Sequence, residues 1–153
     1  TLMAVEQQLG RPLPPPDPLP LIGASTSGMA TLKALAEQRQ TLMILLPNTT
    51  LQNAQIAHLQ GSHGLQAAPV IATAPPEDRE PLSSVIPVCR AELQWAITAE
   101  HARSSSDVLA RRCRLAMVDL AEAQRLQPEV DALLVQAGVA SASTSPINHQ
   151  LNP

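Results

Sequence analysis

Arg111, Arg112 and Arg114 are the tightest group of positive charges in this chain. Guanidinium groups hold phosphate esters through paired N–H donors, so the trio is a candidate phosphate site. Helical spacing argues against it. Side chains at 111, 112 and 114 leave a helix in different directions, so at most two of them converge. Structural ion pairs are the better reading, with Glu92 and Glu100 of a neighbouring helix as partners. The four histidines, His58, His63, His101 and His149, lack metal-ligand spacing such as His-Glu-x-x-His. They read as surface or packing residues. Cys89 and Cys113 are far apart and form no Cys-x-x-Cys motif. Each lies on an apolar helical stripe, which favours reduced core thiols over a disulfide or redox pair. The chain has no Gly-x-Ser-x-Gly elbow, no phosphate-cradling Gly-rich loop and no Gly-x-Gly-x-x-Gly turn. An autonomous enzyme is therefore the weakest functional class.

The elements that must position these charges lie between Ala91 and Met117. Leu93, Ala96 and Ile97, with Cys89 one turn back, make an apolar stripe on a first helix, and Trp95 sits on its flank. Ser104 followed by Asp107 has the spacing of an N-terminal cap for a second helix. Asp107 also precedes Arg111 by four residues, the acid-first order of a helical ion pair. Leu109, Cys113, Ala116, Leu120 and Ala123 then recur at steps of four and three, predicting one core-facing stripe. Two such helices would pack as a corner.

The same block carries a family resemblance. Ala91-Glu92-Leu93 with Trp95, Glu100 with Ala102, and the run Asp107 to Arg112 followed by Arg114, Leu115 and Ala116 resemble the C-terminal helical domain of FAD-dependent glycerol-3-phosphate dehydrogenases and alpha-glycerophosphate oxidases. His63-Gly64, followed by Ala67, Ala68 and Val70, is similar to that family's aromatic-Gly segment. Pro20 to Ala24 resembles the Pro-Leu-Pro-Gly stretch leaving the flavin domain, and Thr1 to Glu6 the end of its last helix. This chain departs from the pattern in having His63, His101 and Met117 where relatives place aromatic residues, and it contains no Phe or Tyr. Its core must come from Leu, Ala, Val and Ile.

The resemblance implies an all-α fold, a compact bundle of about five to six helices. It divides the chain into 1–10 as the end of a flavin domain, 11–24 as a proline-rich linker, 25–138 as the helical domain and 139–153 as a disordered tail. It implies FAD in the parent enzyme and none on this chain, with no catalytic residue here. Glu92, Glu100, Asp107, Arg111, Arg112 and Arg114 then form a structural signature. The implied partner is the FAD-binding catalytic domain of the same polypeptide, and dimer formation and peripheral membrane contact are further roles it allows. The parent would be cytoplasmic or peripheral on the inner membrane, and the chain itself soluble.

The rest of the sequence fits one domain. With 153 residues and 44% hydrophobic content the chain can bury one core, and a net charge of -3 without basic, aromatic-studded faces excludes nucleic acid. Prolines 12, 14, 15, 16, 18 and 20 forbid helix and favour an extended linker. The opening Arg-Pro-Leu-Pro-Pro looks like an SH3 ligand, but Asp17 occupies the next docking position. Ser25 to Leu46 carries a helical pattern through Met29, Leu32, Leu35 and Ala36, and Pro47 ends the apolar run Leu42 to Leu46. Asn48 to Thr50 can cap a helix through Leu51, Ile56 and Leu59, closed by Gly61 and Gly64. A short helix from Leu65 to Thr73, a loop from Ala74 to Pro81 and an extended Leu82 to Pro87 follow. Pro128 opens a last short helix that ends near Gly138.

Between Gln40 and Pro76 there is no Asp, Glu, Lys or Arg. That stretch reads as a buried helical hairpin solubilised by Gln, Asn and Thr, with a neutral docking surface as the alternative. No segment approaches the roughly 20 apolar residues of a membrane span. Thr1 in the first position, without a basic-then-apolar leader, reads as a cut inside a longer polypeptide. The competing functional class is a helical interaction module unrelated to flavoenzymes, presenting the proline segment and the neutral hairpin to partners.

Overall fold

The structure is a computed structural model and describes residues 2–12, 21–25 and 27–139. Most of the expected proline linker and nearly all of the expected tail lie outside these residues. Seven α-helices are present among the described residues: α1 (Leu2–Leu9), α2 (Gly28–Leu45), α3 (Gln52–His63), α4 (Ala67–Ala72), α5 (Arg90–Thr98), α6 (Leu115–Val118) and α7 (Leu120–Gln136). The fold is all-α. Two 3-10 turns, Gly64–Gln66 and Pro76–Arg79, and one π-helical turn, Asp107–Arg112, connect them. No described helix is long and apolar enough to cross a membrane.

Two apolar clusters form the interior, and α5 stands between them. Cys89 and Ala91 face Leu42, Ile56, Leu59, Val70 and Ile71, with Trp95 half-buried against that side. Val88, Leu93, Ala96 and Ile97 face Val108, Leu109, Leu115, Leu126, Val130 and Leu134. The helix opens on a capping box: the Glu92 carboxylate accepts the Cys89 amide at 3.2 Å, closing its first turn. The stripe read from the sequence is therefore the seam of the domain. Fully burying each leucine-sized side chain on either side contributes about 1.5–3 kcal/mol.

The uncharged stretch builds the first cluster, and its glutamines act where charges would otherwise solubilise or cap. Gln52 Nε2 donates to the Met43 and Leu46 carbonyls at 3.1 and 3.2 Å, satisfying the C-terminal end of α2. Gln60 Nε2 reaches the Leu35 carbonyl at 2.7 Å, and Gln55, fully buried, donates to the Arg79 carbonyl at 2.8 Å. Arg79 in turn donates Nε to the Ala74 carbonyl at 2.8 Å and Nη1 to the Leu45 carbonyl at 3.2 Å. These bonds fit the buried-hairpin reading of the interior face of this stretch.

Several elements differ from the sequence expectation for identifiable reasons. The helix after Ser104 is not continuous. It makes a π turn, with the Cys113 amide on the Val108 carbonyl at 3.0 Å, then breaks at Arg114 in the left-handed region (φ +60°). The stripe still reaches the core, because Leu109 and Ala123 are buried and Cys113, Ala116 and Leu120 pack against the same cluster. With α6 split off by the break, six helices, α2 to α7, lie within residues 25–138. Pro128 does not open the last helix but lies inside α7. It forfeits only the bond to the Gln124 carbonyl, and both residues are exposed, so water replaces it. Gly61 likewise lies within α3, and Gly64 alone ends it. Leu82 to Pro87 is not extended: it folds back so that the Leu82 amide donates to the Val88 carbonyl at 2.8 Å and Pro81 pairs with Cys89.

The true start of α7 is Asp119, whose carboxylate accepts the Glu122 amide at 3.0 Å. Asp119→Ala is expected to lower stability by about 1 kcal/mol. Asp119→Asn, which keeps the acceptor, should lose much less in the same urea titration.

Candidate functional site

Glu92 is the most enclosed charged residue of the signature, with its side chain 5% exposed at the N-terminal end of α5. Two imidazoles converge on one of its oxygens. His58 Nε2 donates to Oε1 at 2.9 Å and His63 Nε2 donates to the same atom at 3.1 Å, while Oε2 takes the Cys89 amide. Burial would push the Glu92 carboxyl up, but the hydrogen bonds and charge of His58 and His63 outweigh it and hold it below its ordinary value. The clamp fastens the C-terminal half of α3 to the first turn of α5, across the joint between the two clusters.

A second layer lies over it. His63 Nδ1 is 3.9 Å from Glu100 Oε1, and Glu100 Oε2 receives Arg112 Nε at 3.1 Å. Arg112 Nη2 also donates to the Glu100 carbonyl at 3.0 Å. Arg111 turns to its own helical turn, with Nη1 on Asp107 Oδ1 at 2.7 Å. Asp107 accepts the Arg103 amide at 3.1 Å, and the Asp107 amide donates to Ser104 Oγ at 3.1 Å. Desolvation opposes ionisation of Asp107, but these bonds and Arg111 hold its carboxyl below the usual range. Successive residues point roughly 100° apart on a helix, so Arg111 and Arg112 take different carboxylates.

Each predicted signature residue can now be placed. Glu100 meets Arg112, Asp107 meets Arg111, and Glu92 meets the two histidines instead of an arginine. Arg114 forms the left-handed break and joins none of these pairs. His58 and His63 are the residues that sequence reasoning passed over. They lie roughly 140° apart on an ideal helix, and their partner is distant in sequence, so no motif announces them. Glu92, Glu100, Arg111, Arg112 and the two histidines line a cavity of about 180 Å³ that also includes Cys113. No group of metal-ligating residues is assembled among the described residues.

The segment ahead of α2 also meets the end of α3. The Leu65 amide donates to the Gly23 carbonyl at 2.9 Å, and Gly64 sits directly against the Gly23 backbone. Both glycines have positive φ, +82° at Gly23 and +56° at Gly64.

The two cysteines are free. Burial, with the Glu92 charge adding to it, pushes the Cys89 thiol up to about 12, and burial pushes Cys113 up to about 11. Both are expected to resist a thiol-exchange reagent near pH 8 in the folded chain and to react promptly in urea. Fast labelling of Cys89 in the native state would contradict this burial.

Residues 17–142 match the family described as the C-terminal domain of alpha-glycerophosphate oxidase. The chain belongs to that family. Membership makes it a C-terminal accessory domain of a flavoenzyme, and not an interaction module unrelated to flavoenzymes. The match spans Gly23, the clamp on Glu92, the π turn and all of α7. No curated protein and no solved structure matches the chain.

Proposed function

We propose that this chain is a structural cap on the FAD-binding portion of an enzyme that oxidises glycerol 3-phosphate to dihydroxyacetone phosphate and passes the electrons to quinone or oxygen. It performs no chemistry alone. One observation carries the reading: the polar groups gathered at the α3–α5 joint are spent on one another, Glu92 on His58 and His63, Glu100 on Arg112 and Asp107 on Arg111. Pairs closed in this way hold helices together and leave no activated nucleophile or base.

FAD does not fit the residues present. The described residues contain no strand-turn-helix to receive its pyrophosphate; the cavity at the Glu92 clamp is only about 180 Å³, and one of about 360 Å³ beside Trp95 has no charged side chain in its lining to meet the phosphates. The parent's remaining polypeptide is therefore the implied holder of the cofactor, in the cytoplasm or on the inner-membrane face. Dimer formation and membrane-surface placement are roles compatible with the same cap. With glycerol 3-phosphate and a dye acceptor, the parent polypeptide is expected to turn over and this chain to show none. Turnover by this chain alone would refute the proposal.

A further inference from the structure

Of the apolar stripe expected on the first long helix, Leu35 is half-buried while Met29, Leu32 and Ala36 face outward. Met29 is 78% exposed and Leu32 64% exposed, and the stripe continues through exposed Ala36 and Met43 along α2. Leu21 and Ile22, just ahead of the anchored Gly23, are open as well. Nine of the thirteen exposed large hydrophobic residues among those described fall between Met3 and Ile44, including Met3, Val5 and Leu9 on α1. Such an accumulation on one stretch marks a surface built to be covered. Few charges would be desolvated by covering it, because Lys33 and Glu37 stand at its edge and pair with each other at 4.0 Å.

Resting on the proposed role as a cap, we infer that the outward face of α2, with Leu21 and Ile22, is the surface seated on the catalytic portion of the same polypeptide. The tether selects this occupant. Gly23 is held on the end of α3 and α1 ends at Leu9, so the length of the stretch 10–22 keeps the two within roughly 45 Å of each other. Whatever precedes Gly10 is thereby kept near this face at an effective concentration on the order of millimolar, which a free second copy does not reach. The family's place as the C-terminal domain of a larger oxidase supplies a body at the far end of that tether.

Methionine oxidation reads this directly in the full-length parent polypeptide. Met29 and Met117 are equally open in the domain, at 78% and 74%, and Met117 lies on α6, away from this face in sequence and in cluster. With dilute hydrogen peroxide and mass spectrometry, Met29 is expected to oxidise at least tenfold more slowly than Met117. Leu32→Glu should bring the Met29 rate up to that of Met117. Equal rates in the unaltered parent would overturn the inference. So would protection of Met29 that vanishes on dilution together with a dimer in sedimentation, since that gives the face to a second copy. The flavin spectrum of the same sample is read separately. A parent without FAD refutes the cap of a flavoenzyme, while the Met29 rate still decides whether the face is covered.

Discussion

Glu92→Ala is expected to destabilise the domain by about 3–5 kcal/mol, the scale for removing one partner of a buried charged pair. The loss is large because three donors are stranded at once: His58 Nε2, His63 Nε2 and the Cys89 amide. Glu92→Gln keeps the shape and one acceptor oxygen but turns an NH2 group toward one set of donors, and should lose about 1–3 kcal/mol. Urea denaturation gives both values. The pH dependence carries a definite sign. The carboxyl of Glu92 is depressed in the folded state from the ordinary 4.5, so its contribution is fully present above that value. It disappears as pH falls below 4.5 and through the lower folded value. Glu92→Gln should therefore flatten the acid side of the stability profile. An unchanged profile in the variant would mean that the carboxylate is not ionised against the two imidazoles.

Gly64→Ala is expected to be the most damaging of the glycine substitutions. Its backbone, at φ +56° and ψ −130°, is one that side-chain-bearing residues rarely adopt. An added Cβ would meet the Gly23 carbonyl oxygen well inside contact distance. Backbone strain of about 1–3 kcal/mol is compounded by that collision. Because the obstacle is backbone, relief requires Gly23 and the tether to move off α3, breaking the bond from the Leu65 amide to the Gly23 carbonyl. Two readouts should change together: a lower melting temperature and faster proteolysis beside Leu21 and Ile22. Gly61→Ala, at a position open to solvent inside α3, should be neutral or stabilising by up to about 1 kcal/mol. Equal behaviour of the two variants would contradict the contact.

The all-α class and the core-facing stripes of α5 and the π turn were legible because apolar periodicity reports burial directly, and that burial survives even where the helix path breaks. Where the breaks fall was not legible. Arg114 adopts a left-handed conformation that no local residue type announces, and Pro128 sits harmlessly in α7 because its missing bond faces water. The outward face of α2 shows the limit from the other direction. A stripe such as Met29, Leu32 and Ala36 reports an apolar face, not whether that face turns toward the core of the same folded unit. The pairings of Arg111 and Arg112 followed from charge order and helix geometry, but the clamp on Glu92 did not. It joins His58 and His63 to a residue two helices later, so only the packing of α3 on α5 creates it.

The central claim is that these polar groups hold a cap together and bind no cofactor themselves. Gel filtration of this chain after incubation with excess FAD, followed by the absorbance spectrum of the protein peak, tests it most directly. The account predicts a protein peak with no flavin absorbance. Stoichiometric FAD carried through the column would contradict it.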